Sequence, residues 1–375
     1  MPQYHLDKFF VPDDKDLFDM LKACHTSSDK LWAFARGYGI FLSMSNRHDV
    51  SLDVVSRFTI DRRKLQELFA LNNTKDRDEK YSTKRVPENA SVSRLKASIT
   101  SVRDERTTGD RKEKYTLEDG PNGALNVKIS YLEPDFSRTE ALQVREREIK
   151  VQFTKVESGW SVRHHSNETA AEIVNAILKK IPEDMSKAAP VKALDFTGIR
   201  DPKRRTRFFN DLSRRMKGYE LRDVPALKVH RLVESQSATS TEEEEEEEAK
   251  AAEAQVKKMV LSGTDLTHSQ EYALLEARGF FISSISWTSE MANDEKEHFH
   301  FTAEFADADA PSDIKWGCTG KTERADDGSL KKYRCALTSL EKEGVLNQLE
   351  EAAFGLYDEM VAETKSAETK KLDGK

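Results

Sequence analysis

Cysteine is scarce. Only three occur, Cys24, Cys318 and Cys335, too few to build a disulfide-held secreted scaffold, and the count fits a reducing compartment. Cys318 and Cys335 are spaced to face each other across a hairpin, although free thiols of this kind are most often simply buried. No window approaches the ~20 apolar residues of a membrane span. The opening MPQYHLDKFFVPDD has neither a basic start before an apolar stretch nor a small-residue cleavage site. These absences predict a cytoplasmic chain without a membrane partner. Also missing are a Gly-rich phosphate loop with a lysine, a nucleophile elbow, a paired-cysteine motif and a spaced pair of carboxylates. No catalytic constellation and no cofactor motif is defined, so a binding protein is expected rather than an enzyme.

What is present is charge of both signs. The 375 residues carry 60 Lys and Arg against 67 Asp and Glu, a formal net charge of −7, with 37% hydrophobic and 34% charged residues. Such a composition favours small cores joined by solvated segments, and the length exceeds what one ordinary core needs. Net charge decides nothing about partners here, because a basic face on an acidic chain still binds a polyanion. The placement of each sign is what carries information.

The expected fold class is α+β: a small N-terminal helical module followed by two α/β units with mainly antiparallel sheets. Apolar residues at Leu17, Leu21, Leu31, Phe34, Ala35, Val50, Val54, Leu65 and Leu68 give short helices within 1–70. Residues 71–123 form a polar connector in which Val92 to Ser101 fits either a helix or an alternating strand. An α/β domain is expected over 124–234, with strands at Val127 to Tyr131, Ile149 to Phe153 and Trp160 to Val162. A helix capped by Asn167 follows, then a strand at Ala193 to Phe196, a helix from Pro202 to Lys217 and a strand to Leu232. Residues 235–255 hold the glutamate run Glu242 to Glu248, which reads as a solvated linker or as an internal mimic of nucleic-acid phosphates. A C-terminal α/β domain spans 256–361, with an Asp327-Gly328 hairpin turn, a strand over Lys331 to Leu337 and a closing helix from Leu340 to Met360. A disordered tail is expected over 362–375. The order strand, glycine, helix, glycine, aromatic, strand occurs around Gly198 to Tyr219 and again around Gly263 to Phe280, which allows a distant internal duplication.

Three places carry candidate chemistry. The first is the stretch from Ser27 to Phe58. An apolar helix ends at Gly39, Ile40 to Met44 read as extended, and a second helix begins near Asn46. This segment resembles the helix–extended loop–helix of the SAP family of DNA-binding motifs. It departs from that pattern in a loop one residue longer, without the internal glycine, and in a second helix nearly free of lysine. The resemblance implies phosphate contacts by Lys30, Arg36, Arg47, His48 and Arg57, which position a protein on DNA without reading bases.

The second is the helix from Pro202. Phe208, Phe209, Leu212 and Met216 share one face, while Lys203, Arg207, Asn210, Arg214 and Lys217 recur on the other, and Arg200, Arg204 and Arg205 extend the charge. A charged stripe is usually a solvated face, but this one carries no acid on its outer row, so it reads as a row of phosphate partners. The third is the pair His298 and His300, on the same side of one strand. No third metal ligand is set by spacing, so no metal is expected.

The sequence thus points to a nucleic-acid-binding or nucleic-acid-associated accessory protein, DNA ahead of RNA. A protein–protein adaptor without nucleic-acid contact is the rival.

Overall fold

The computed structural model describes residues 12–42, 48–58, 61, 63–65, 67–68, 79–87, 90–107, 112–120, 123–134, 143–157, 159–181, 191–231, 257–292, 294–325 and 327–373. The fold is α+β, with a large antiparallel sheet. The chain divides into two compact units. One comprises Met1–Asp76, Ile99–Glu118 and Val127–Lys150, the other Arg77–Ser98, Asp119–Asn126 and Val151–Lys375.

The first unit opens with three short helices. Helix α1 (Asp14–Ala23) starts at a capping box, in which the Asp16 N–H donates to the Asp13 carboxylate at 2.7 Å and the Asp13 N–H donates back to Asp16 at 3.1 Å. Helix α2 (Ser28–Gly37) is followed by Gly39 at φ +75°, a left-handed position that only glycine takes without strain. Helix α3 (His48–Ser56) completes the group. Each is too short to be stable alone. They hold together by burying Leu17, Met20 and Leu21 of α1, Leu31 and Phe34 of α2, and Leu52 and Val55 of α3 in one cluster with Leu68. The same unit contains residues 114–118 of β2 (Lys114–Asp119), 127–134 of β3 (Leu125–Pro134) and 144–150 of β4 (Val144–Val156), adjacent in that order. Alternation along β3 buries Leu125, Val127, Ile129 and Tyr131.

In the second unit the sheet starts from residues 151–156 of β4 and runs β4-β5-β1-β10-β9-β8-β6-β7, where β1 is Tyr81–Pro87, β5 Gly159–His165, β6 Tyr219–Arg231, β7 Lys258–Ser262, β8 Phe280–Met291, β9 Asp294–Phe305 and β10 Ile314–Glu323. Strand β1 pairs with β5 along its length and touches β10 at Tyr81↔Trp316. Neighbouring residues of β1 reach helices on opposite faces of the sheet. Thr83 donates to Glu350 of α8 (Ser339–Asp373) at 2.7 Å, while the Lys84 ammonium donates to Asn175 of α5 (Glu168–Lys179) at 2.6 Å. Helices α6 (Pro202–Arg214), α7 (Gln270–Ala277) and α8 share a core with β6, β8, β9 and β10, built on Phe208, Phe209, Phe281, Trp287, Phe301, Phe305 and Trp316. Phe196 links it together, its ring centroid 4.7 Å from Phe208 and 5.3 Å from both Phe305 and Tyr357.

Several expectations are revised. Strand β6 pairs with both β7 and β8, so segments on either side of the expected linker lie in one sheet, because β6 finds its hydrogen-bonding partners only beyond residue 256. The glutamate run itself lies outside the described residues. Residues 92–106 form helix α4 (Val92–Arg106), burying Leu95, Ile99 and Val102. The stretch around Ala193 is not a strand and makes a single bridge, Arg85↔Lys192. The duplication thereby loses its first strand, although Gly218 at φ +80° and Gly279 at φ +82° each stand between a helix and an aromatic that opens a strand. Lys331 to Leu337 likewise contributes a single isolated bridge, Lys321↔Cys335, with Arg324↔Leu330 just before it, rather than a strand. Cys318 and Cys335 are both free thiols. The closing helix does not stop near Met360: α8 continues to Asp373.

Candidate functional site

Helix α6 is fixed at its start and along its apolar face. Pro202 occupies the first turn, and the Asp201 cap accepts from the Lys203 N–H at 3.0 Å. Phe208, Phe209 and Leu212 are fully buried, and Thr206 accepts from Tyr272 and from the Ile282 N–H, each at 3.2 Å. The cations on and beside α6 fall into three groups.

Arg205 does not belong to the exposed stripe. It is 2% exposed, donates to the Ile199 and Phe196 carbonyls at 2.7 and 3.4 Å, and lies over the Phe281 ring. Burial pushes its guanidinium below its ordinary value.

Arg204, Arg207 and Arg215 are met by α8. Arg204 donates to the Met360 carbonyl and the Thr364 hydroxyl, both at 2.7 Å. Arg207 reaches Glu363 at 3.1 Å and Asp211 at 3.4 Å, and Arg215 reaches Glu359 at 2.8 Å and Asp211 at 3.6 Å. The acid that the stripe lacks on its outer row comes from a helix about 150 residues downstream.

Arg200, Lys203 and Lys217 are exposed and have no carboxylate partner among the described residues. Arg214 donates to His268 at 3.2 Å, and His268 is held through its other nitrogen by Asp265 at 2.7 Å. Arg214 thus meets a ring nitrogen rather than a carboxylate among the described residues.

The N-terminal candidates are less concentrated. Lys30 and Arg36 are exposed on α2. His48, at the start of α3, shares a 2.9 Å hydrogen bond with Ser28, and Arg57 is paired with Asp53 at 2.8 Å. Arg47 lies outside the described residues.

His298 and His300 do share a side of β9, as expected, but they serve as internal partners. His300 bonds Thr322 at 2.7 Å and lies 3.3 Å from Thr288. His298 is 3.2 Å from both Glu290 and Arg324, and Glu290 also binds Arg222. Burial pushes His298 down and His300 down to about 4, so neither ring adds a cation at neutral pH. Arg222 beside Glu290 holds that carboxyl below the usual range. Among the described residues no group of three His, Cys, Asp or Glu side chains could hold a metal, and no helix is long and apolar enough to cross a membrane.

The residues that sequence reasoning missed are Arg215, Glu359 and Glu363. Their signal was present: Glu359 and Glu363 stand one helical turn apart, on a helix whose apolar stripe ends at Met360. In the comparisons with known proteins, the chain matches no family model and no curated protein. The class is therefore defined by fold and charge alone, as an α+β protein with a cation-bearing surface helix.

Proposed function

We propose that this chain is a nucleic-acid-binding accessory protein that holds phosphates along α6. The supporting observation is that Arg200, Lys203, Arg214 and Lys217 stand without a carboxylate partner on a helix, or at its ends, whose opposite face is locked into the core. Fixed cations of this kind position a polyanion without reading its bases, and preorganisation spares the ordering cost that a mobile basic segment incurs on binding. Lys30 and Arg36 of the N-terminal module supply a second set of phosphate partners. The likeness of that module to SAP motifs favours DNA over RNA.

The test is binding of a short DNA duplex to the full chain and to a variant carrying Lys203→Glu, Arg214→Glu and Lys217→Glu. All three side chains are exposed, so the fold survives and its circular dichroism stays constant. The variant is expected to bind at least about tenfold more weakly, with a log Kd against log salt slope shallower by roughly 0.9 for each phosphate that is no longer engaged. Equal affinity and equal slope would contradict the proposal.

A protein partner is the second reading, favoured by the end of the sheet. Among the described strands β7 pairs with β6 alone, and Val260 at its centre is 64% exposed. An unpaired strand edge accepts an extended segment from another chain. Salt-insensitive retention of a protein, with no nucleic acid held, supports this reading instead.

A further inference from the structure

The last part of α8 is attached differently from the rest. From Val345 to Met360 the helix is anchored by buried apolar side chains, Leu349, Ala353 and Phe354 among them at 0% exposure. Beyond Met360 the interactions change character. Glu363 and Thr364 engage Arg204 and Arg207, and one turn earlier Glu359 engages Arg215. The Arg207 and Arg215 ion pairs are about half exposed, Arg207 at 47% against Glu363 at 46% and Arg215 at 47% against Glu359 at 55%. Exposed pairs of this kind are weak and are screened by salt. Two carboxylates one helical turn apart, roughly 6 Å along the axis, thus sit on guanidiniums of the helix whose remaining cations are open.

We propose that Glu359 and Glu363 act as an internal phosphate mimic: they cover Arg204, Arg207 and Arg215 in the free protein, and a polyanion that first engages Arg200, Lys203, Arg214 and Lys217 displaces them. This inference rests on the nucleic-acid reading of α6 and adds the regulation of that site. The geometry supports displacement because residues 361–364 carry no buried side chain, while the guanidiniums that are covered project from a helix, or its end, that stays fixed. Glu363 lies past the last buried anchor and Glu359 one residue before it, so the exposed Glu359 carboxylate leaves by side-chain rotation and release costs no core packing. It exchanges two carboxylates for phosphates and enlarges the continuous basic surface from four side chains to seven.

The experiment uses the full chain and the double variant Glu359→Gln, Glu363→Gln, which keeps side-chain size and helix propensity while removing the charge. Binding of a short DNA duplex is measured across a salt series, and hydrogen exchange is followed over residues 359–373 with and without the duplex. The double variant is expected to bind about tenfold more tightly at low salt. Its salt slope is expected to be unchanged if the wild-type complex already engages all seven cations, since release of the acids is then internal to binding. In the wild type, exchange over 359–373 is expected to rise on adding the duplex. Duplex binding that is equally tight in both proteins, with no change in exchange over that segment, overturns the mimic and leaves the α6 reading standing. Failure of both proteins to bind the duplex at any salt overturns both. A charge-swapped Glu359→Lys, Glu363→Lys variant guards against a silent glutamine pair, because added cations must tighten binding further if these positions border the phosphate path.

Discussion

At the scale of the residue, one carboxylate holds the centre of the second unit. Glu350 is buried and accepts from Thr83 at 2.7 Å, from Ser161 at 3.1 Å and from the Arg163 guanidinium, which also donates to Asn347 at 2.6 Å. Removing it leaves Arg163, 8% exposed, without its counter-charge. Glu350→Ala is expected to cost about 3–5 kcal/mol in the urea unfolding free energy, as breaking a buried pair from one side does. A loss below about 1 kcal/mol, the range of exposed pairs, would contradict that role. The buried histidines set a pH limit. Burial pushes His164 and His300 from the ordinary 6.5 down to about 4. The unfolded rings take up protons where the folded ones stay neutral, so this contribution to stability is complete above about pH 6.5. It declines as pH falls through the window down to about 4, and is gone below it. Ring resonances of both histidines are expected to titrate near 4 in the folded protein, and midpoints near 6.5 would contradict their burial. Residue-level features were partly legible. The caps at Asn167 and Asp201 follow from local chemistry, whereas Arg205 was misplaced for a reason the sequence does contain. It lies three, four and seven residues before Phe208, Phe209 and Leu212, so the period that picks out the buried face includes it.

At the scale of the element, α8 shows where pattern and propensity part. The apolar stripe ends at Met360, which marks the end of the buried face, but residues 361–372 are rich in Ala, Glu and Lys and contain neither Gly nor Pro. Good helix formers continue a helix that packing has already nucleated. The end of β10 depends instead on close backbone approach. Gly320 has φ +149°, and a Cβ there would lie 2.6 Å from the Cys335 carbonyl oxygen, while Lys321 and Cys335 exchange backbone hydrogen bonds of 3.0 and 2.7 Å. Gly320→Ala is expected to separate the 330–335 segment from β10 at a cost of roughly 1–3 kcal/mol. Faster amide exchange at Lys321 and Cys335 checks it, and unchanged protection there contradicts it. The Asp327-Gly328 turn was readable from its dipeptide, with Gly328 at φ +80°. The segment after it was not, because whether an extended stretch becomes a strand is decided by the partner it finds.

At the scale of the whole molecule, what sequence concealed is long-range pairing. Nothing local tells that β6 pairs with strands beyond residue 256, and the spacing of Glu359 and Glu363 marks an acidic pair without telling which arginines it meets. The outer row of the stripe reads as unopposed because, Asp211 apart, its acids are distant in sequence. Their presence narrows the proposed phosphate site from the whole stripe to Arg200, Lys203, Arg214 and Lys217, with three further guanidiniums held in reserve. The most direct test of that site is the salt dependence of duplex binding by the full chain. Four to seven phosphate contacts predict a log Kd against log salt slope of magnitude about 3.6 to 6.3, reduced by roughly 0.9 for each of Lys203, Arg214 and Lys217 changed to Glu. A slope near zero, or a slope that these substitutions leave unaltered, would contradict the account.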